Sequence, residues 1–360
     1  MPRKEARLGL IDTIKAAASQ LIVLHHLAFY GPVSDAAHAW MPHLTAWLAD
    51  YGRIAVQAFL VVGGFLAARS LAPAGRLEAG GVRGLILKRY LRLALPYCVM
   101  LGAAIVAAAF ARPWVEGDTV PLAPDALQLL SHVLLLQDVL GQDALSAGVW
   151  YVAIDFQLFV VLLVVFGLAR RLAPDSSLLG PMLVAALGAA SLLDFNRDAG
   201  LDSWAIYFVG AYALGAWAWW SNEAPLRRDG RVQFVAGLLC LVTVLALLWE
   251  FRSRIAVAAG LAVLLGIATR RGWLTAGPNG RLVAGLAQIS YAVFLIHFPV
   301  YLLINAAFAR WTEATPAQGA AAFVFAWIAS IAAGAAFHRW VEQPAGRVMQ
   351  RLGRMRALAG

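Results

Sequence analysis

Apolar residues gather into ten runs separated by polar loops, at residues 10–30, 52–70, 93–111, 149–169, 178–193, 203–221, 232–250, 255–269, 282–308 and 318–341. A helix needs about 20 apolar residues to cross the hydrocarbon of a bilayer, and about 17 at the least. The fifth and eighth runs fall slightly short of that limit and need their flanks. The pattern predicts an all-α polytopic membrane protein with ten transmembrane helices. One further apolar patch, His132–Leu140, is too short to span, and counting it as a span would turn every later loop inside out. It is expected as a short re-entrant or interfacial segment that follows an acidic loop with Glu116, Asp118 and Asp125 and leads into Trp150.

The first run is unlike the others because it carries Asp12, Lys15, Ser19, His25 and His26. Ionisable groups are costly inside a bilayer, so those found there face a protein interior and mark chemistry or transport. At about 100° per residue, the steps from Lys15 to His26 exceed three full turns by only about 20°, so Lys15, Ser19 and His26 share one stripe. Asp12 lies about 40° from His26, while His25 points about 80° away from Lys15, at the margin. Lys15 and His26 are about 17 Å apart along the axis. A cation at one end of a stripe and a titratable base at the other outline a through-membrane reaction path, with His26 as the base. A single polar residue in such a helix commonly does no more than bond a neighbouring helix; four on one stripe favour function.

Composition agrees with the membrane reading. The chain has 360 residues, of which 61% are hydrophobic and 14% charged, too little polar surface to cover a soluble globule. The formal charge of +9 is carried in short clusters between the apolar runs rather than along one face, which excludes nucleic acid as the partner and reads as a topology signal. With the N-terminus inside, 21 of the 29 lysines and arginines fall on inner segments and six on outer ones, so both termini are expected in the cytoplasm. The basic Met1–Arg7 leads into a run broken by Asp12 and Lys15, which reads as a retained first helix rather than a cleaved leader. Cys98 and Cys240 lie inside apolar runs without metal-ligand or disulfide spacing. Residues 8–346 are expected to form one membrane domain, and 347–360 a basic cytoplasmic tail resting on anionic lipid.

Depth brings a carboxylate level with the base. Counting from the outer ends of their runs, His26 lies about 6 Å and Asp155 about 9 Å below the surface. A carboxylate bonded to an imidazole fixes its tautomer and makes it a general base toward a hydroxyl. An arginine such as Arg53 or Arg112 is the competing partner for Asp155. Arg89 and Arg92, three residues apart, face the same side of the third helix at its inner end and suit phosphate oxygens, although positive-inside flanking accounts for them equally well. Gly63 and Gly64 permit close approach of a helix or of a slender substrate arm, with helix packing the simpler cause. His297 precedes Pro299 and is expected to line the path or to bond a carbonyl freed by the proline. Ser290 and Tyr291 offer path-lining hydroxyls, and Glu342 is expected to pair with an arginine.

These residues occur in an order that points to one family. Asp12-Thr13-Ile14-Lys15, the apolar run ending at His26, Phe59 to Leu66 with Gly63 and Gly64, Arg89-Tyr90-Leu91-Arg92 with Pro96, Trp150 to Phe159 with Asp155, Ser290 and Tyr291 with His297 and Pro299, and Glu342-Gln343-Pro344 together resemble the acyltransferase-3 family of bacterial integral membrane acyltransferases. The resemblance spans nearly the whole chain. It implies ten spans in the bacterial cytoplasmic (inner) membrane, no permanently bound cofactor, and an acyl-CoA donor, acetyl-CoA in particular, reached from the cytoplasm. It also implies O-acylation of a glycan or other hydroxyl acceptor at the outer face, with glycan-assembly proteins as further partners. His26 and Asp155 take the catalytic positions, and Asp12, Lys15, Arg89, Arg92, Trp150 and His297 the substrate-binding ones. The family histidine falls on His26 and not His25 by its spacing from Asp12. Lys15 stands where the family has arginine, Asp155 where it has glutamate, Gln57 where an acid is usual and Gly63 where serine is usual. The rival reading, from another class, is a secondary transporter that uses the same buried charges as a relay; the absence of an inverted repeat and the motif order weigh against it.

Overall fold

The computed structural model describes residues 7–78, 81–115, 119–224, 226–275, 280–310 and 314–349. Arg3, Lys4, Glu116, Asp118 and the tail arginines Arg351, Arg354 and Arg356 lie outside the described residues. Among the described residues every regular element is helical. The helices are α1 (Gly9–Phe29), α2 (Pro32–Trp40), α3 (Pro42–Tyr51), α4 (Ala55–Leu71), α5 (Val82–Ala111), α6 (Ala126–Val133) and α7 (Val149–Leu172). They continue with α8 (Leu179–Leu193), α9 (Ala205–Trp220), α10 (Gly230–Trp249), α11 (Ser253–Arg271), α12 (Arg281–Ala309) and α13 (Pro316–Phe337), the last followed by a π-helical turn, His338–Glu342.

All ten apolar runs are helices. Among the described residues, eight helical segments are long and apolar enough to cross a membrane: α3 with α4, then α5, α7, α8, α10, α11, α12 and α13. α1, with its charged and histidine positions, and α9, with 16 residues, are not among them. The exposed side chains of α10 include Phe234, Leu238, Leu241, Leu245 and Leu248, an apolar stripe at helical spacing that water would not tolerate and lipid would. The chain is a multi-pass membrane protein.

The chain forms two compact units, and the divisions fall inside helices. The first unit comprises Met1–Lys15, Val56–Leu87 and Ile154–Ala284. Its centre is α9, which packs on α8 and α11 and is buried along nearly its whole length. Small residues make that possible. A Cβ on Gly64 would lie 1.9 Å from the Tyr212 carbonyl oxygen, and one on Gly215 would lie 1.9 Å from that of Val61, so α4 and α9 cross with backbone against backbone. Gly63 sits in the same contact, near the Tyr212 ring and the Asp155 carboxylate. Helix packing therefore explains the glycine pair. At the far end of α9, the Trp220 and Trp219 indoles donate to the carbonyls of Ala72 and Pro73 at 2.8 and 3.2 Å, satisfying groups that the end of α4 leaves open.

The second unit comprises Ala16–Ala55, Lys88–Ala153 and Gly285–Gly360. Here α2 and α3 are helices the hydropathy pattern did not reveal, each opened by a proline in its first turn. α2 lies against α13, where Gly319 lets Ala36 and Ala37 approach. Trp40, Leu44, Trp47 and Tyr51 are exposed along this helical pair, the composition of an interfacial belt.

The short segment before Trp150 folds back along α5. The helix in it, α6, precedes most of the apolar patch and is N-capped by Asp125, whose carboxylate accepts from the Gln128 N–H at 2.7 Å; the residues after Val133 are turns. The Tyr90 hydroxyl donates to the Val133 carbonyl at 2.8 Å. Tyr90 lies about 31 Å along α5 from Ala111, so the chain after α5 doubles back beside it. The fully buried His132 holds this return: its Nδ1–H donates to the Gln128 carbonyl at 2.8 Å and its Nε2 accepts from the Leu145 N–H at 3.1 Å. A proton on Nε2 would remove that acceptor. Burial holds the His132 ring below the ordinary histidine range, so acidification past that range is expected to loosen residues 126–146 before the rest, read as protease cleavage there that speeds up as the pH is stepped down from 7.5, with His132→Gln showing a smaller pH effect.

Candidate active site

α1 is one unbroken helix, so Lys15 and His26 keep the spacing along it that the stripe requires. Ser19 and His26 are buried, as a protein-facing stripe demands. Ser19 donates back to the Ala16 carbonyl and receives the Gln20 amide at 3.3 Å; Gln20 in turn accepts from the Trp327 indole at 2.9 Å. That part of the stripe therefore ties α1 to α13.

The centre of the site is a histidine pair. His26 Nδ1 lies 2.7 Å from His297 Nε2, with the ring planes 7° from parallel and both side chains buried. His297 Nδ1 lies 2.7 Å from the Phe294 carbonyl oxygen. A carbonyl can only accept, so His297 Nδ1 carries a proton and donates it; the neutral ring then has its lone pair on Nε2. His26 Nδ1–H donates to that lone pair, which leaves His26 with its own lone pair on Nε2. A chain of two hydrogen bonds from a backbone carbonyl thus sets the tautomer of His26, in the way a carboxylate does in other general bases. His297 thus occupies a tautomer-fixing place on His26 Nδ1. It bonds Phe294, not the Leu295 carbonyl that Pro299 leaves without a helical donor.

His25 does other work. Its Nδ1–H donates to the Leu48 carbonyl at 2.9 Å, and its Cβ lies 2.7 Å from where a side chain on Gly52 would begin. It binds α1 to the end of α3.

The other residues singled out in the sequence divide between the units: Asp12, Lys15 and Asp155 in the first, His26, Arg89, Arg92, Trp150 and His297 in the second. Asp12 pairs with Arg7 at 2.5 Å, and Arg7 also donates to the Ala284 carbonyl, which anchors the start of α1. Lys15 and Asp155 are half-buried. Arg89 is half-buried and Arg92 exposed, so the two guanidiniums meet different surroundings despite their spacing. Trp150 lies under the Arg53 guanidinium, 5.1 Å from ring centroid to Cζ. Ser290 bonds back to Ala287, and the Tyr291 hydroxyl donates to the Leu93 carbonyl of α5 at 3.1 Å; both hydroxyls hold helices. Glu342 pairs with His338 at 2.7 Å inside the π-helical turn and, among the described residues, with no arginine.

The pairing of His26 with His297 was not legible in the sequence. The residues are 271 positions apart, and neither motif names the other. The only signal was that both interrupt apolar runs.

No curated protein and no solved structure matches the chain. Residues 9–338 match the acyltransferase-3 family model, described as an acyltransferase domain, and over that length, nearly all of the protein, the chain belongs to the family.

Proposed function

We propose that the protein moves an acyl group, acetyl in particular, from cytoplasmic acyl-CoA to a hydroxyl of an envelope or exported glycan. In this reading it sits in a bacterial cytoplasmic membrane with ten spans and both termini inside. The observation that carries the proposal is the hydrogen-bonded chain from the Phe294 carbonyl through His297 to His26, which presents a basic Nε2 inside a membrane acyltransferase.

The chemistry follows from that lone pair. His26 Nε2 takes the proton of the acceptor hydroxyl as its oxygen attacks the thioester carbonyl. The new C–O bond forms, the C–S bond breaks, and the thiolate leaves with the proton held on Nε2. The imidazolium formed in between is hydrogen-bonded through Nδ1 to His297, so its charge spreads over two rings. The same lone pair serves a route in which Nε2 carries the acyl group itself before the acceptor arrives. Asp12, Lys15, Arg89 and Arg92 are assigned to the acidic donor, Lys15 as a point charge and the arginines as forked donors to phosphate. Asp155 is kept as a catalytic candidate on the family resemblance, and Trp150 is assigned to the acceptor.

Purified protein in lipid nanodiscs, given acetyl-CoA labelled in the acetyl group and a crude envelope glycan fraction, is expected to release CoA and label the glycan. Substrate flux across vesicles with no CoA release would establish the transporter instead. Omitting the glycan and quenching rapidly distinguishes the two routes, since only the second leaves label on the protein.

His297 is a positioning residue in this scheme. His297→Leu is expected to lower kcat by about 100-fold with KM for acetyl-CoA little changed, because the general-base contribution is lost and donor contacts are kept. His297→Gln, whose amide oxygen accepts a hydrogen bond, should recover part of the loss. A parallel fall in both variants together with lowered thermal stability would mark His297 as structural only.

A further inference from the structure

Arg53 and Trp150 come from distant parts of the chain and are each linked to the histidine pair by a short series of contacts. On one side, Gly52 packs on the Cβ of His25, the neighbour of His26, and Arg53 follows Gly52 at the entry to α4. On the other, His297 lies beside the Phe294 ring at 6.1 Å between centroids, Phe294 meets Tyr151 edge-on at 5.6 Å, and Trp150 precedes Tyr151 at the start of α7. Gly148, with φ of +82°, keeps this second side tight: a Cβ there would come within 2.8 Å of the Phe294 ring. The guanidinium of Arg53 then sits over the Trp150 indole and joins the two sides. All of these groups lie at the end of α1 opposite Lys15.

We propose that Arg53 and Trp150 form the acceptor subsite and that its ligand is an acidic sugar, a glycan unit carrying a carboxylate or phosphate near the hydroxyl that receives the acyl group. The assignment rests on the acyltransferase reading above for the identity of the reacting hydroxyl. Three features point to that ligand class. Arg53 is exposed and, among the described residues, is in no ion pair, so the indole beneath it is its neighbour and an oxyanion is its missing partner. A guanidinium seated over an aromatic ring at this distance still has N–H donors for bidentate bonding to a carboxylate or phosphate. Trp150 is half-exposed, and indole surface suits the apolar face of a sugar ring. A neutral sugar would use the tryptophan alone and leave the guanidinium above it unengaged.

The test is titration calorimetry of the full chain in zwitterionic nanodiscs with three probes: a tetrasaccharide of alternating uronic acid, maltotetraose as its neutral counterpart, and glucose 1-phosphate. The uronate probe is expected to bind at least tenfold more tightly than maltotetraose at low salt, with the difference shrinking as salt rises. Arg53→Gln should bring the two into equality, Arg53→Lys should keep part of the difference, and Trp150→Ala should weaken both. Competition by glucose 1-phosphate would extend the site to any sugar oxyanion; its failure would confine it to carboxylates. Equal affinity for the acidic and neutral probes, an unchanged ratio in Arg53→Gln, or no binding of any probe overturns the proposal. Acetyl-CoA turnover by the same sample separates the two readings, since a preparation that consumes acetyl-CoA without acid selectivity removes the subsite alone, and selectivity without turnover removes the acyltransferase reading alone.

Discussion

His26→Ala, in protein that inserts and folds as the parent does, is expected to lose about 10²- to 10⁴-fold of the acyl-transfer rate, the span that a positioned general base contributes. The loss should appear in kcat, with KM for acetyl-CoA nearly unchanged, because Nε2 acts on the acceptor proton and contributes nothing to holding the nucleotide. His25→Ala is the comparison. It deletes the bond to the Leu48 carbonyl, worth about 1 kcal/mol net, so it should lower the melting temperature while each folded molecule keeps its turnover. A glycan acylated at the parental rate by well-folded His26→Ala would remove the proposed mechanism. The parental rate should also fall on the acid side of its pH profile, since only the neutral imidazole has a lone pair to offer, and this limb should be missing from the residual activity of His26→Ala.

The largest structural effect is expected at the crossing of α4 and α9. Gly215→Ala would place a methyl 1.9 Å from the Val61 carbonyl oxygen, and Gly64→Ala would do the same against Tyr212. The neighbour in each case is backbone, which cannot swing aside as a flexible side chain does, so the two helices must separate. Overpacking of this kind costs about 3 kcal/mol or more. Each substitution is expected to abolish a cooperative melting transition in detergent or to lower its midpoint strongly, and to reduce the yield of inserted protein. Gly237→Ala in α10 is the control: nothing lies within 4 Å of its added Cβ, and alanine is the better helix former by about 1 kcal/mol, so stability should hold or rise. Similar melting of Gly215→Ala and Gly237→Ala would show that the crossing is less tight than the backbone contact requires.

Each site residue was legible to the extent that its chemistry clashed with its surroundings. His26 stood out because an imidazole in an apolar run has no business facing lipid, and it is buried as that argument demands. Its partner was beyond reach, because the turn that brings α12 beside α1 is set by packing of side chains such as Tyr301, whose hydroxyl donates to the Leu27 carbonyl at 2.7 Å. Asn305 adds to the same packing by accepting from the Val33 N–H at 3.0 Å. The pairing expected for Glu342 went wrong for a related reason. Arginines crowd that end of the chain, but the π-helical turn puts His338 on the carboxylate first. The helices α2 and α3 went unseen because hydropathy counts apolar length, and they are short; Pro32 and Pro42, each suited to a first turn, were the signal that could have found them.

By itself, then, the order of residues determined that this is a helical membrane protein, where its apolar helices run and which family its motifs belong to. Those properties depend on periodicity, length and transfer of groups from water, all of which act along the chain. The tertiary structure alone decided that His297 sets the tautomer of His26, that Arg53 lies over Trp150, and that Gly64 and Gly215 are there for helix contact. These are meetings between residues far apart in the chain, decided by which surfaces fit when helices pack, and a linear pattern contains no record of them.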